Sequence, residues 1–310
     1  MHYTSRHVSS RHVSAPRLGG LALSLAALGL AALAPSARAQ TQDLFVSNFS
    51  NNIISRFAGT GPGTFSTSAT ALPGSGLNGP YGLAFDGGGD LFVTNYAGGR
   101  YSNGSITEFA STGAGTFAMG MPFATGLNGP IGLAFDARGD LFAANQTGNS
   151  IMEFASTGAG TFGTGMTVAT GLDDPIGLAF DGRGDLFVTN YTGGSTRHGS
   201  ITEFASTGAG TFAAGTTFAT GLNGPFGLAV DARGDLFTTN GGNSITEFAS
   251  TGTGTFAAGK TVETGLSQPS FLAFSPAPAV PEASTTVSLG LLLALGMGGM
   301  VVAAKRKKRA

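Results

Sequence analysis

The sequence predicts an all-β protein, a β-propeller of five four-stranded blades, and three observations carry that prediction. The chain repeats itself every 45 to 50 residues, each repeat divides into four short apolar segments separated by glycine-rich turns, and the two ends of the array are complementary fragments of one unit. Four-stranded units at a period of roughly 40–50 residues are the mark of propeller blades.

The repeat is plainest at its Asp-Leu-Phe step, which recurs at Asp43, Asp90, Asp140, Asp185 and Asp235, spaced 47, 50, 45 and 50 residues apart. Strand A is Gly82–Phe85, with copies at 132–135, 177–180 and 227–230. Strand B is Asp90–Asn95, strand C Ser105–Ala110 and strand D Phe123–Leu127. Asp86-Gly87-Gly88-Gly89 and its copies suit a tight A–B hairpin that ends on a glycine with positive φ. Asn78-Gly79-Pro80 carries the chain from one unit to the next.

The ends supply the closure. The first copy starts at strand B with Asp43, and the last segment, Gln268–Phe274, is a strand A with no strand B after it. Pairing the two completes a fifth blade and closes the ring. Six blades are the alternative if strand D folds differently.

Composition agrees with this reading. Glycine supplies 52 of 310 residues and charged residues only 11%. Each glycine inside a helix costs about 1 kcal/mol, so a helical protein is disfavoured. Hydrophobic residues at 41%, with 24 phenylalanines, supply a core that a disordered chain lacks. The net charge of −1 hides an asymmetry: residues 40–280 hold seven basic and sixteen acidic side chains, 7 − 16 = −9. Nucleic acid, which needs a basic face, is excluded as a partner. With no cysteine, disulfides, thiol catalysis and cysteine metal sites are excluded together.

Both ends read as addresses. Residues 1–39 combine a basic stretch, an apolar run from Leu18 to Leu33 and the small residues Ala37 and Ala39 before Gln40. That order predicts a secretory signal cut between Ala39 and Gln40. Residues 277–286 form a linker, and the uncharged run 287–304 follows. At 1.5 Å per residue its 18 residues predict one membrane-spanning helix, held by the basic tail 305–310 on the cytoplasmic side.

Val280-Pro281-Glu282-Ala283-Ser284, the apolar helix and the cluster Lys305–Arg309 together resemble a PEP-CTERM sorting signal. The family motif carries a second proline where this chain has Ala283. The resemblance implies an exosortase-type membrane enzyme as partner, which removes the helix and passes the protein to the cell surface. Its bearers are mostly bacteria that make an extracellular polysaccharide. An uncut single-pass anchor is the alternative.

The repeat in turn resembles the NHL repeat across residues 43–276, within a predicted domain of 40–276. Pro130-Ile131-Gly132-Leu133-Ala134-Phe135-Asp136, Asp140-Leu141-Phe142 and Asn149-Ser150-Ile151 follow its skeleton. Asn145 and Ser150 depart from it. Propellers of this kind include protein and RNA platforms as well as lyases and lactonases, so the fold leaves function open.

A binding function needs residues that break the repeat. The B–C loop is extended in two units, Tyr96–Gly104 and Tyr191–Gly199, which carry Tyr96, Arg100, Tyr101 and Asn103 in one and Tyr191, Arg197 and His198 in the other. Asp173-Asp174-Pro175 replaces Asn-Gly-Pro at one junction. B–C and D–A connections emerge on one face of a propeller, so these residues form a candidate ligand-binding rim. Rings stack and planar donors orient, which suits exopolysaccharide or a segment of an exported protein. Loops that vary without function are the competing account.

His198 is the only histidine outside the signal segment, so a histidine-rich metal site is excluded; no catalytic residue, metal or cofactor is assigned. Glu108, Glu153, Glu203 and Glu247 recur on strand C, with Arg56 in the fifth place, and read as solvated blade edges. Asn48, Asn95, Asn145, Asn190 and Asn240 end strand B and read as turn caps. Arg138-Gly139-Asp140 mimics an adhesion tripeptide but lies within a structural hairpin. The sequence therefore predicts a non-enzymatic, exported surface or matrix protein. A metal-dependent propeller hydrolase or lyase, of lactonase or amide-lyase type, is the alternative.

Overall fold

A computed structural model describes residues 43–272, apart from 62–63, 74–75, 97–103, 114, 159, 193–197, 209 and 268. The predicted signal, the sorting motif Val280–Ser284 and the span 287–304 lie outside the described residues. No helix among the described residues is long and apolar enough to cross a membrane. The described residues fall in one compact unit ending at Phe274.

The chain is a five-bladed β-propeller. Blade ii shows the unit: strands A Pro80–Phe85, B Leu91–Asn95, C Gly104–Phe109 and D Met121–Leu127 form one antiparallel sheet in the order A-B-C-D. Blades iii, iv and v repeat it, with A strands Pro130–Phe135, Pro175–Phe180 and Pro225–Val230. A strands of successive blades lie against one another, so they form the innermost layer. Strands A and D each begin two residues earlier than predicted. Proline is tolerated as the first residue of A because it heads an edge strand, where no ladder donor is needed.

Blade i holds strands B Leu44–Asn48, C Ile53–Phe57 and D Thr70–Ala71. Residues 269–272 take the place of strand A beside blade v. Thr239 Oγ1 donates to Ser270 O at 2.5 Å, as Thr94 Oγ1 donates to Ile131 O at 2.8 Å between blades ii and iii. Among the described residues this segment makes no ladder with blade i. Residues 273–274, on which the predicted closing pair depends, lie outside them.

Four hydroxyls stitch the inner strands. Thr94 and Thr189 each accept from a glycine N–H in their own strand A and donate to the next blade's carbonyl. Thr239 repeats the pattern, and Ser47 donates to Tyr81 O at 2.8 Å. The glycines are required: a Cβ on Gly82, Gly132 or Gly177 would stand 2.2, 2.1 or 2.4 Å from the neighbouring blade's carbonyl oxygen.

Every unit also holds a second small hairpin that the repeat pattern did not predict, such as Ser111–Gly113 with Thr116–Phe117, placed between strands C and D. It explains the repeat's aspartates. Asp90, Asp140, Asp185 and Asp235 each accept, at 2.7 Å, from the N–H of the serine that opens the hairpin. The hairpin's phenylalanine then reaches back into the preceding blade. Phe162 of blade iii meets Phe92 of blade ii edge-on at 5.5 Å, and Phe256 of blade v meets Phe187 of blade iv at 5.6 Å. Such ring pairs add about 0.5–1.5 kcal/mol beyond their area burial. Successive blades are thus clasped on the outside as well as stitched at the centre.

Candidate functional site

The face that carries the B–C and D–A connections is one surface, as expected. The N–H after each strand B donates to a D–A carbonyl: Tyr96 to Gly79 O at 3.0 Å, Gln146 to Gly129 O at 2.9 Å, Tyr191 to Asp174 O at 3.0 Å and Gly241 to Gly224 O at 2.9 Å. Asn95 and Asn190 hold the same junctions. Each amide donates to strand C hydroxyls, and its oxygen accepts from the N–H of Asn78 or Asp173. These asparagines tie three strands together, a larger role than turn capping.

At the mouth of the central channel on this face stand six aromatic rings in two groups. Phe49, Tyr81 and Tyr96 run from blade i to blade ii, with centroids 5.0 Å and 5.8 Å apart. Tyr191, Phe226 and Phe271 run from blade iv through blade v to the C-terminal segment, at 6.2 Å and 5.3 Å. Ile131 and Ile176 occupy the positions of Tyr81 and Phe226 in blades iii and iv, and both are buried. Tyr191 and Phe271 are exposed, at 39% and 47%, and the other four rings are half-buried.

Each ring that follows a strand B lies on a glycine of the next junction. A Cβ would stand 2.8 Å from Phe49 at Gly79, 3.2 Å from Tyr96 at Gly129 and 3.1 Å from Tyr191 at Gly224. All three glycines have positive φ, between 58° and 64°. The blade iii–iv junction breaks the pattern on both sides: Gln146 stands where a ring would be, and Asp174 where the glycine would be. Asp174 keeps the left-handed backbone, φ 51°, that costs a residue with a Cβ about 1 kcal/mol. Thr192 Oγ1 lies 2.6 Å from Asp174 Oδ2 and 3.2 Å from Asp173 Oδ1 and donates to this carboxylate pair.

Of the predicted rim residues, Tyr96 and Tyr191 belong to the two aromatic groups, and Asp173 and Asp174 are joined through Thr192. His198 is exposed and lines, with Asp173, Asn190 and Thr217, a groove of about 560 Å³ between blades iii and iv. Arg100, Tyr101, Asn103 and Arg197 lie outside the described residues. Sequence reasoning missed Phe49, Tyr81, Phe226 and Phe271. The signal was present: the ring after strand B occurs only where the next junction offers glycine before its proline. Gln146 precedes Asp174 and Gly241 precedes Gln268, the two junctions without glycine.

The opposite face, at the A–B hairpins, is acidic. Asp86 Oδ1 accepts from the N–H groups of Gly88 and Asp90, and the hairpin ends on Gly89 with φ 89°, as predicted. Arg138 bonds Asp136 and Asp140, and Arg183 bonds Asp181 and Asp185, so the adhesion-like tripeptide is part of a hairpin ion cluster. Arg56 pairs with Asp43 and supplies that cation in blade i. Glu108, Glu153 and Glu203 differ from the solvated edges predicted for them. They are half-buried beside these aspartates, and burial first, then neighbouring carboxylates, pushes all three carboxyls above their ordinary range. Among the described residues, no three His, Asp or Glu side chains form a group that could hold a metal ion.

Neither a protein-family model nor a curated protein matches the chain. Solved structures do. A virginiamycin B lyase from Staphylococcus aureus superposes with a TM-score of 0.54 at 16% identity, over 75% of this chain and 71% of that one. A gluconolactonase from Xanthomonas campestris gives 0.54 at 21% identity, over 76% of each chain. A PQQ-bound aldose sugar dehydrogenase from Streptomyces coelicolor gives 0.52 at 16%, over 72% and 78%. At such identities the likeness establishes the propeller fold alone.

Proposed function

We propose that this chain is an exported, non-enzymatic surface or matrix protein whose propeller binds a polysaccharide or another exported protein through its B–C/D–A face. The observation that carries this reading is the gathering of six rings at the channel mouth on that face, edged by the polar Gln146, Thr192, Asp173 and Asp174. Exposed aromatic groups edged by polar ones mark binding surfaces. The PEP-CTERM-like tail supplies the route: export behind the signal, a transient membrane anchor, then cutting by an exosortase-type enzyme near Val280–Ser284.

Binding to the host's extracted extracellular matrix tests the reading, beside a variant with Tyr96, Tyr101, Tyr191 and Arg197 all changed to alanine. Saturable binding lost in the variant is expected; equal binding by both forms would remove the rim from the proposal. Intact-mass measurement of the protein from its host checks the tail, with loss of residues 1–39 and of the span 287–304 expected.

A second reading, a propeller enzyme, is favoured by one observation: the similar folds include a lyase, a lactonase and a dehydrogenase. Turnover of a sugar lactone or a streptogramin by the full chain, with divalent cations supplied, would establish it.

A further inference from the structure

We infer that the channel mouth is a glycan site, with sugar rings stacking on Tyr81, Tyr96, Tyr191 and Phe226 and sugar hydroxyls meeting the polar edge between blades iii and iv. The inference rests on the binding reading above and narrows it to one ligand class and one location.

Three observations favour sugar over a protein segment. The first is which aromatic the chain uses where. Of 24 phenylalanines most serve the blades, whereas the described tyrosines, Tyr81, Tyr96 and Tyr191, all lie at this mouth. A tyrosine offers an apolar face and a hydroxyl at its rim. A hexose has the matching form, a C–H face bordered by hydroxyls. The second is geometry. Neighbouring rings meet edge-on or tilted, at 74° for Tyr81 with Tyr96, 87° for Tyr191 with Phe226 and 51° for Phe49 with Tyr81. A pair set edge to face leaves ring surface uncovered by the other, whereas parallel stacking would hide one face of each. The third is the charge pattern. The described arginines, Arg56, Arg138, Arg183 and Arg233, belong to the opposite face, and the acceptors at the mouth are the Asp173–Asp174 pair that Thr192 bridges. Carboxylate and amide acceptors beside rings suit hydroxyl donors.

The experiment uses the full chain in detergent, with three soluble probes: a neutral β-glucan, a mannan and the host's own exopolysaccharide. The chain holds no tryptophan, so its emission comes from five tyrosines, of which Tyr81, Tyr96 and Tyr191 stand at the mouth. A saturable change in that emission with at least one polymer is expected. Tyr81→Ala and Phe226→Ala should each weaken it by about tenfold or more in protein that still unfolds in one cooperative transition, at a melting temperature lowered by a few degrees for the lost ring pairs. Tyr81→Phe should keep the stacking and lose only part of the affinity. Met166→Ala, on the exposed outer edge of blade iii, should bind as the parent does. Polymer binding that survives Tyr81→Ala and Phe226→Ala together would move the site elsewhere while the binding function stands. Should none of the polymers bind while a purified exported protein does, the glycan class falls and the broader reading survives. If neither binds, both fall.

Discussion

Between blades i and ii, the Ser47 hydroxyl reaches across to the Tyr81 carbonyl, and the Phe49 ring lies on Gly79. Between blades iii and iv both features are gone. Ala144 stands in place of the hydroxyl residue, Gln146 in place of the ring and Asp174 in place of the glycine. The substitutions explain one another. Without a ring above it, the junction no longer needs the Cβ-free surface of glycine, and a side chain can occupy the space. What the junction loses in stitching it replaces with a carboxylate pair and a bridging threonine beside the groove that holds His198. The repeat is therefore uniform in its outer hairpins, each held by its aspartate, and irregular at this junction, in both the inner stitch and the B–C/D–A face.

The comparison breaks hardest through the cores, where the junctions should be alike. Phe142 and Phe187 are both fully buried, on either side of the odd junction. Their alanine variants should each lose about 3–5 kcal/mol, with values within about 1 kcal/mol of each other in chemical denaturation. A large difference would mean that the irregular junction reaches into the core.

The hydroxyl stitch should show the opposite. Thr94→Ala leaves the Gly82 N–H and the Ile131 carbonyl without their buried partner and should cost about 1–3 kcal/mol. Ala144→Thr offers blade iii the stitch it lacks and should gain about 1 kcal/mol. If Ala144→Thr destabilises instead, the odd junction is packed too tightly for the hydroxyl, and its absence is steric.

Asp174 separates backbone from side chain. Asp174→Gly relieves the left-handed strain of about 1 kcal/mol and gives up the Thr192 bond of similar size, so stability should stay within about 0.5 kcal/mol of the parent. Asp174→Ala keeps the strain and still loses the bond, and should cost about 1 kcal/mol. Thermal denaturation of both variants checks the ordering.

The period, strand order, blade number and shared loop face were legible because glycine turns and Asp-Leu-Phe steps recur in register. The outer hairpins were not. Ser111-Thr112-Gly113 has no apolar alternation, and its fold depends on Asp90, about twenty residues away in sequence. The site was half legible. Tyr96 and Tyr191 stood out because their loops are long, whereas Tyr81 and Phe226 were hidden inside a strand pattern. A residue after proline in strand A reads as core, and only the ring of blades turns that position toward the channel. Phe271 stands at the position that is glycine in the other four A strands, a break visible in sequence whose meaning needed Phe226 beside it.

The acidic face carries the smallest expected effect and repeats the comparison within one residue type. Glu153 and Glu203 have Arg138 and Arg183 nearby to draw their carboxyls back down, whereas Glu108 sits in the blade whose hairpin has Gly88 in that place. A carboxyl raised by burial binds its proton more readily folded than unfolded. Its effect on stability is therefore favourable in acid and is lost as pH rises through the folded value. At neutral pH each of these glutamates is a net cost, and the cost is largest where no arginine offsets it. Glu108→Gln should then be more stable than the parent at pH 7, with the gap closing as the pH falls to the ordinary glutamate range. Glu153→Gln should gain less, because its ionised form already has a cation beside it. A Glu108→Gln variant less stable than the parent at pH 7 would show that the carboxylate itself holds the hairpin, and that blade ii compensates for its missing arginine in some other way.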